Sequence, residues 1–297
     1  MTFSKPFVAA LFGVVALLGA SPLTAGIVLA EGAYPDAKQI VSVGGTVTEI
    51  LYALDSGDRI KAVDTTSSFP AAASNKPNVG YMRALSAEGI LAQNPDLILA
   101  EQGSGPPGAL SILTESGIPM VTIPSPPSVD GIAPKIRAVG AAVGKEAPAS
   151  LLADKVSAEL QALKEQIAGL KGAKKRVLFA LSLANGRVMA GGSGTAADAI
   201  ITLAGGINAA SAVTGYKPLS DEAVIEAAPD VLLVMNNSAM HMTAEQAFAL
   251  PALQSSPAGK ANAFVAMDGL YLIGLGPRTP QAGRELAAKL YPDAIKP

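Results

Sequence analysis

Three features of the sequence predict two α/β lobes with parallel sheets, joined by a single long α-helix. The first is a repeat. Residues 80–99 read GYMRALSAEGILAQNPDLIL and residues 215–233 read GYKPLSDEAVIEAAPDVLL, so that Leu85, Ser86, Glu88, Pro95 and Asp96 recur as Leu219, Ser220, Glu222, Pro229 and Asp230 at one constant offset. A repeat separated by about half the chain implies two similar bodies rather than a short-period solenoid. The second is the alternation of short apolar runs with stretches of helical spacing, the pattern of parallel α/β structure. The third is one uninterrupted amphipathic stretch, residues 147–170, lying between the two copies.

Residues 1–30 read as a secretory signal peptide. Lys5 supplies a basic start, residues 7–20 form an apolar or small-residue run, Ser21 and Pro22 break it, and small residues follow at Ala25 and Ala30. The run is shorter than the roughly 20 residues that cross a bilayer. With no cysteine in the chain there is no site for lipoprotein-type acylation, and the exported protein is expected to be soluble, not lipidated, in a periplasm.

The first lobe is expected over 36–146. Residues 40–43 form a short strand ending in Gly44-Gly45-Thr46, and 47–54 have helical spacing, which gives strand, glycine turn and helix. Residues 59–63 are a second strand, and 67–77 are a Pro-, Ala- and Ser-rich loop leading to Tyr81. Ser86 suits an N-cap and Glu88 lies in the first turn of the helix it starts, where a carboxylate complements the helix dipole. That helix carries Ile90 and Leu91 inward and stops near Asn94-Pro95, since the residue before a proline is pushed out of the helical region. Residues 97–100 read as a buried strand, 103–108 as a loop, 109–116 as a helix and 120–123 as a strand before Pro124, Pro126 and Pro127.

The connecting helix is expected over 147–171. Leu151, Leu152, Val156, Leu160, Leu163 and Ile167 recur at helical spacing among charged residues, giving a rod about 35 Å long. The second lobe, 174–297, repeats the grammar with strands at 176–180 and 188–190. Gly191-Gly192-Ser193-Gly194-Thr195 then precedes a helix over 196–203, as Gly44-Gly45-Thr46 precedes the first helix. Residues 231–235 are the counterpart of 97–100, 264–267 form a further strand, and a helix over about 280–290 closes the chain.

Composition excludes several functions. Charged residues are 15% of the 297, and the net charge of −2 offers no electrostatic argument for nucleic acid. The absence of cysteine and the single histidine, His241, remove thiolate sites, cysteine nucleophiles and mechanisms needing two histidines. No GxSxG elbow accompanies His241, so no Ser-His-acid triad is expected, and the chain is not expected to be an enzyme. The glycine-rich 191–195 stretch opens a helix but lacks the lysine of a P-loop and the full dinucleotide spacing.

The tyrosines remain. In a two-lobed α/β protein, ligands lie beyond the carboxyl ends of strands and between domains. Tyr81 and Tyr216 are expected in equivalent loops, both facing the cleft. A ferric ion bound to a phenol displaces its proton to solvent, and a nearby guanidinium, here Arg83, favours the phenolate. Phenolate is a known haem-iron ligand. On the residues alone, Tyr81 as ligand and Tyr81 as a packed ring at a loop both stand.

The segment VGYMRALSAEGILAQNPDLILAEQGSGPP, its partner GYKPLSDEA, and the stretches GGTVTEIL and LGPRTP resemble the haem-binding periplasmic proteins of bacterial haem ABC importers. These belong to a superfamily of helical-backbone binding proteins, of the class III type with two Rossmann-like lobes, that also serves cobalamin and siderophores. The resemblance implies a non-enzymatic carrier of ferric haem b, with Tyr81 as axial ligand to the iron and Arg83 supporting it. It also implies that Glu88 and Glu222 dock onto arginines of an inner-membrane permease with its ATPase, and that an outer-membrane haem receptor system stands upstream. Some relatives carry another histidine ligand just after the strand matching 176–180; here that region reads LSLANGRVM, so a single five-coordinate haem is expected, with Met189 or His241 as candidate second ligands. A ferric siderophore or corrinoid is the alternative cargo. Lys217, Arg187 and Arg278 are basic candidates for the propionates.

Overall fold

The computed structural model describes residues 1–2, 32–184, 186–236 and 241–296. The expected signal peptide therefore lies, apart from its first two residues, outside the described residues. In chain order the first lobe contains β1 (Ile40–Val43), α1 (Gly45–Ala53), β2 (Ile60–Val63), α2 (Ala87–Leu91), β3 (Leu97–Glu101), α3 (Pro107–Glu115), β4 (Met120–Ile123) and α4 (Ile132–Ala142). Helix α5 (Glu146–Ala168) follows. The second lobe contains β5 (Arg176–Ala184), β6 (Arg187–Gly191), α6 (Ala196–Leu203), β7 (Ile207–Asn208), β8 (Tyr216–Leu219), α7 (Asp221–Ala227) and β9 (Val231–Asn236). It is completed by α8 (Ala244–Phe248), α9 (Pro251–Ser255), α10 (Pro257–Lys260), β10 (Phe264–Asp268), α11 (Gly269–Ile273) and α12 (Thr279–Leu290).

The first sheet is parallel throughout, in the order β2-β1-β3-β4. The second is mixed. Its order is β10-β9-β5-β6-β8, with β7 also on β5; β9, β10 and β7 run parallel to their neighbours, whereas β6 is antiparallel to both β5 and β8. The parallel part corresponds to the first sheet, and the β6 and β8 pair is an addition that the first lobe lacks.

Strand alternation sorts the core into layers. Ile40, Leu97 and Leu99 point one way, and Val41, Val43 and Ile98 the other, where Ile90 of α2 and Leu113 of α3 cover them. In the second sheet Val177 and Phe179 face the shared core, while Leu178 and Ala180 meet Val224 of α7 and Leu253 of α9. The inner faces of both lobes belong to one continuous apolar cluster that passes through Val156, Leu160 and Leu163 of α5 to Leu286 of α12. The two lobes are therefore packed through the connecting helix as well as tethered by it.

On α5 the buried residues are Ala149, Ala153, Val156, Leu160 and Leu163, a stripe stepping alternately by four and three. Leu151, expected inward, is 74% exposed. At about 3.6 residues per turn, a position five before Val156 falls on the far side of the helix, and the small Ala149 and Ala153 occupy the contact face instead.

The repeated residues have repeated jobs. The Ser86 hydroxyl accepts from the Gly89 N–H at 3.1 Å and the Ser220 hydroxyl from the Ala223 N–H at 3.2 Å, so each caps a short helix. The Asp96 carboxylate accepts from the backbone N–H groups of Lys38 and Gln39, at 2.7 and 2.9 Å, and that of Asp230 from the N–H of Arg176 at 2.8 Å. Each aspartate thus pins the start of the strand beside its own, β1 beside β3 and β5 beside β9.

Candidate functional site

Tyr81 sits on a turn tied at both ends. Gly80 has φ +94°, a conformation open to glycine, and its N–H donates to Asn78 Oδ1 at 2.8 Å while its carbonyl accepts from the Thr65 N–H at 2.9 Å. Downstream the Ala84 N–H closes the turn onto the Tyr81 carbonyl at 2.7 Å. The Gly105 N–H donates to the Met82 carbonyl at 2.9 Å, and the Leu85 N–H donates to the Gly105 carbonyl at 2.8 Å. Met82 and Leu85 are buried in the first-lobe core, which leaves Tyr81 and Arg83 pointing outward. Tyr81 is 42% exposed, and Arg83 Nη1 donates to its phenol oxygen at 3.1 Å.

Tyr216 is presented differently. Expected in a loop equivalent to that of Tyr81, it is instead the first residue of β8, paired with Gly191 of β6. The added strand β6 accounts for the difference, because β8 pairs with it and the chain after Gly215 runs straight into the sheet. The ring meets Phe179 edge-on with centroids 6.4 Å apart. Burial pushes the Tyr216 phenol above its ordinary value; opposing this are the Ala197 backbone N–H, the charge of Arg83 and the Thr195 side chain. The charge of Arg83, a first-lobe residue, thus reaches a second-lobe phenol, and Arg83 is in turn bonded to Tyr81.

Glu88 and Glu222 are both exposed, in the first turns of α2 and α7. The Glu222 carboxyl is held below its ordinary value by its own backbone N–H and by the Ser220 side chain. Met189 is half-buried in β6, facing Ser182 and Pro218 across the ladder. His241 is exposed just beyond the carboxyl end of β9, where the Met242 N–H donates to Asn236 Oδ1 at 3.0 Å. Arg187 and Lys217 are exposed, but Lys217 follows Tyr216 in a strand and so leaves the sheet on the opposite face. Arg278 is engaged: Nη2 donates to Glu49 Oε2 at 2.8 Å, and the guanidinium lies 3.6 Å above the Phe69 ring.

The glycine loop before α6 is occupied with itself. The Gly192 N–H donates to the Gly215 carbonyl, the Ser193 N–H to the Val213 carbonyl, the Gly194 N–H to Asp198 Oδ2, and the Thr195 hydroxyl caps the Asp198 N–H. These donors serve the loop instead of a phosphate. A cavity of about 600 Å³ beside Lys164, Ile167, Leu170 and Tyr291 lies at the carboxyl end of α5 and includes none of the cleft tyrosines.

Residues 40–270, more than half of the chain, match the family model described as periplasmic binding protein. The chain belongs to that family. Among solved structures, this periplasmic binding protein is similar to the periplasmic heme-binding protein RhuT from Roseiflexus sp. RS-1 in its apo form, at 37% identity and a TM-score of 0.82, covering 89% of this chain and all of that one. It is also similar to the periplasmic heme-binding protein BhuT in complex with two hemes, at 35% identity and a TM-score of 0.79, covering 85% and 99%. A curated relative, the vitamin B12-binding protein of Vibrio campbellii, is 28% identical over 73% of this chain and 78% of its own length. The family consists of substrate-binding components of transport systems, in keeping with the two-lobed class III architecture.

The sequence did not single out Lys135, Glu49 and Thr46, which meet the second lobe, or Glu101, which pairs with Lys135. Lys135 alone carried a signal, a lysine set among Ile132, Ile136 and Val139 at helical spacing, where a charge is out of keeping with the buried face.

Proposed function

We propose that this periplasmic binding protein captures ferric haem between its lobes, with the Tyr81 phenolate on the iron, and delivers it to an inner-membrane ABC permease and its ATPase. The observation that carries the proposal is the Tyr81–Arg83 pair: an exposed phenol, 3.1 Å from a guanidinium, on a turn fixed at both ends. Ferric iron displaces the phenolic proton, and the adjacent cation favours the resulting anion. Tyr216 faces the porphyrin from the second lobe, its hydroxyl held at the start of α6. Most of the binding free energy comes from burying the porphyrin, and the iron bond orients it. The likeness to RhuT and BhuT, both heme-binding by name, supports haem as the cargo. Export to the periplasm suits the family and the residues at 1–30.

Titration of the purified protein with hemin tests this. The parent is expected to give the visible spectrum of a high-spin ferric tyrosinate, and Tyr81→Ala to lose that spectrum with affinity falling on the order of a hundredfold. An unchanged spectrum in the variant sinks the assignment. The vitamin B12-binding relative favours a corrinoid as the second reading; in that case hemin gives no Soret shift and cyanocobalamin binds with Tyr81 dispensable.

A further inference from the structure

Lysine is seldom fully buried without partners. Lys135 of α4 is 1% exposed, among the largest fully buried side chains of the described residues, and its ammonium finds three oxygens, each at 3.4 Å. One is Glu101 Oε1, at the carboxyl end of β3 in its own lobe. The other two are the carbonyls of Gly274 and Leu275, in the second lobe between α11 and α12. Three donors thus meet three acceptors drawn from both lobes.

The second-lobe segment of this contact is shaped to fit. Leu275 has φ +52°, a left-handed conformation uncommon for leucine, and is 3% exposed. The Gly274 carbonyl also accepts from the Thr46 hydroxyl at 2.8 Å, and a Cβ at Gly276 would come within 2.9 Å of Thr46 Cγ2. Three residues on, Arg278 donates to Glu49 of α1 through its side chain at 2.8 Å and its backbone N–H at 3.3 Å. Burial pushes the Lys135 ammonium below its ordinary value, while Glu101 and Glu49 oppose the shift. Lys135 with Glu101 inside the first lobe, and Arg278 with Glu49 across the boundary, thus form two ion pairs, and such pairing is the condition for keeping charges out of water.

The same groups lead to the ligand turn. The Glu101 carbonyl accepts from the Ser104 N–H and hydroxyl, at 3.0 and 2.6 Å, and Gly105 then bonds Met82 and Leu85 on either side of Arg83. On the other flank, Phe69 lies under Arg278 in the loop that follows Thr65, the donor to Gly80.

We propose that Lys135 is a positioning residue for the cleft: by joining Glu101 to the 274–275 carbonyls, it sets the separation and tilt between the wall that bears Tyr81 and the wall that bears Tyr216. Helix α5 connects the lobes on one side, and this contact is their second, electrostatic crossing.

The chain has no native cysteine, so spin labels at Glu115→Cys on α3 and Glu226→Cys on α7, both exposed, report the interlobe distance cleanly. In hemin-free protein, Lys135→Met, which keeps the stem and removes the charge, is expected to move or broaden the label distance distribution by about 2 Å. Hemin should then dissociate about tenfold faster. Ile90→Val, in the outer core of the first lobe, is the control for general destabilisation and should leave the distances unchanged. A folded Lys135→Met protein with the parent distribution overturns the proposal. If that variant does not fold, Thr46→Val removes only the hydroxyl bond to Gly274, and a parent-like distribution there overturns it equally. The hemin-dissociation arm rests on the haem reading, but the label distances do not. Moved labels in a protein whose parent never binds hemin would overturn the haem reading and leave this one standing.

Discussion

In the first lobe the chain after Gly80 turns within four residues and pushes Tyr81 and Arg83 out into the cleft; in the second, the chain after Gly215 runs directly into strand β8, with Tyr216 laid against Phe179. Both segments begin at a glycine of positive φ and continue into a leucine, a serine cap and a glutamate. They diverge only over the residues between. Met82-Arg83 makes a turn whose buried methionine forces its neighbours outward, while Lys217-Pro218 makes an edge strand, where a proline is tolerated because one side of the strand has no ladder to complete. The serines and aspartates that the copies share tie helix and strand starts within each lobe, and the residues they do not share give the two tyrosines their different settings.

The largest expected effect concerns the shared glutamates. Glu88 and Glu222 stand in matching first turns, both exposed, and neither supports the core. If both dock onto a permease, Glu88→Lys and Glu222→Lys should each abolish haem-dependent growth of a strain relying on this importer, and hemin titrations should remain at the parent value. Loss through one glutamate only would break the equivalence of the copies at this surface, and parallel loss of hemin binding would assign the residues to the fold.

Next in size is the difference between the tyrosine walls. Arg83 bonds the Tyr81 phenol directly, so Arg83→Ala should weaken hemin binding about tenfold and shift the ferric charge-transfer band. Tyr216→Phe removes only a hydroxyl and keeps the ring against Phe179, and its effect on hemin affinity should be no more than about twofold. Equal losses in the two variants would mean that the second wall also supplies a group to the iron.

The repeat, the serine caps and the strand grammar were legible because each is local: a cap is decided within three residues and a parallel strand by its own apolar run. The pairing of Asp96 with the start of β1 and of Asp230 with β5 was visible only as a recurrent residue, since the partners are distant in sequence. The strand at 188–190 was legible as β6, but its antiparallel pairing with β5 and β8 was not, because strand direction depends on which neighbour is found. Leu151 satisfied the apolar pattern of α5 yet faces solvent, since two alanines, weaker signals in any hydrophobic count, take the packed face. For the candidate site, Tyr81 and Arg83 were singled out by the resemblance, since the residues alone left a ligand and a packed ring both standing, whereas Lys135 and the 274–278 segment needed the lobes to be brought together.

The caps themselves should behave alike. Ser86→Ala and Ser220→Ala each remove one side-chain acceptor from a helix start, and each is expected to lower stability to denaturant by about 1 kcal/mol without altering hemin affinity. A loss several times larger at one serine would show that the two short helices do not contribute equally to their lobes.

The smallest effect tests one unmatched pair within the repeat. Each copy reaches its Pro-Asp through a left-handed residue: Asn94 with φ +50° before Pro95, and Ala228 with φ +40° before Pro229. Asparagine visits this region readily, while alanine, with a Cβ against the following carbonyl, is disfavoured there. Ala228→Asn should therefore stabilise the protein by about 0.5 kcal/mol, measured as a raised denaturation midpoint at constant slope. The reverse exchange, Asn94→Ala, should cost about the same in the first lobe. If Ala228→Asn destabilises, the half-buried side chain at that position is fixed by its packing below α7, and backbone preference is the weaker of the two influences.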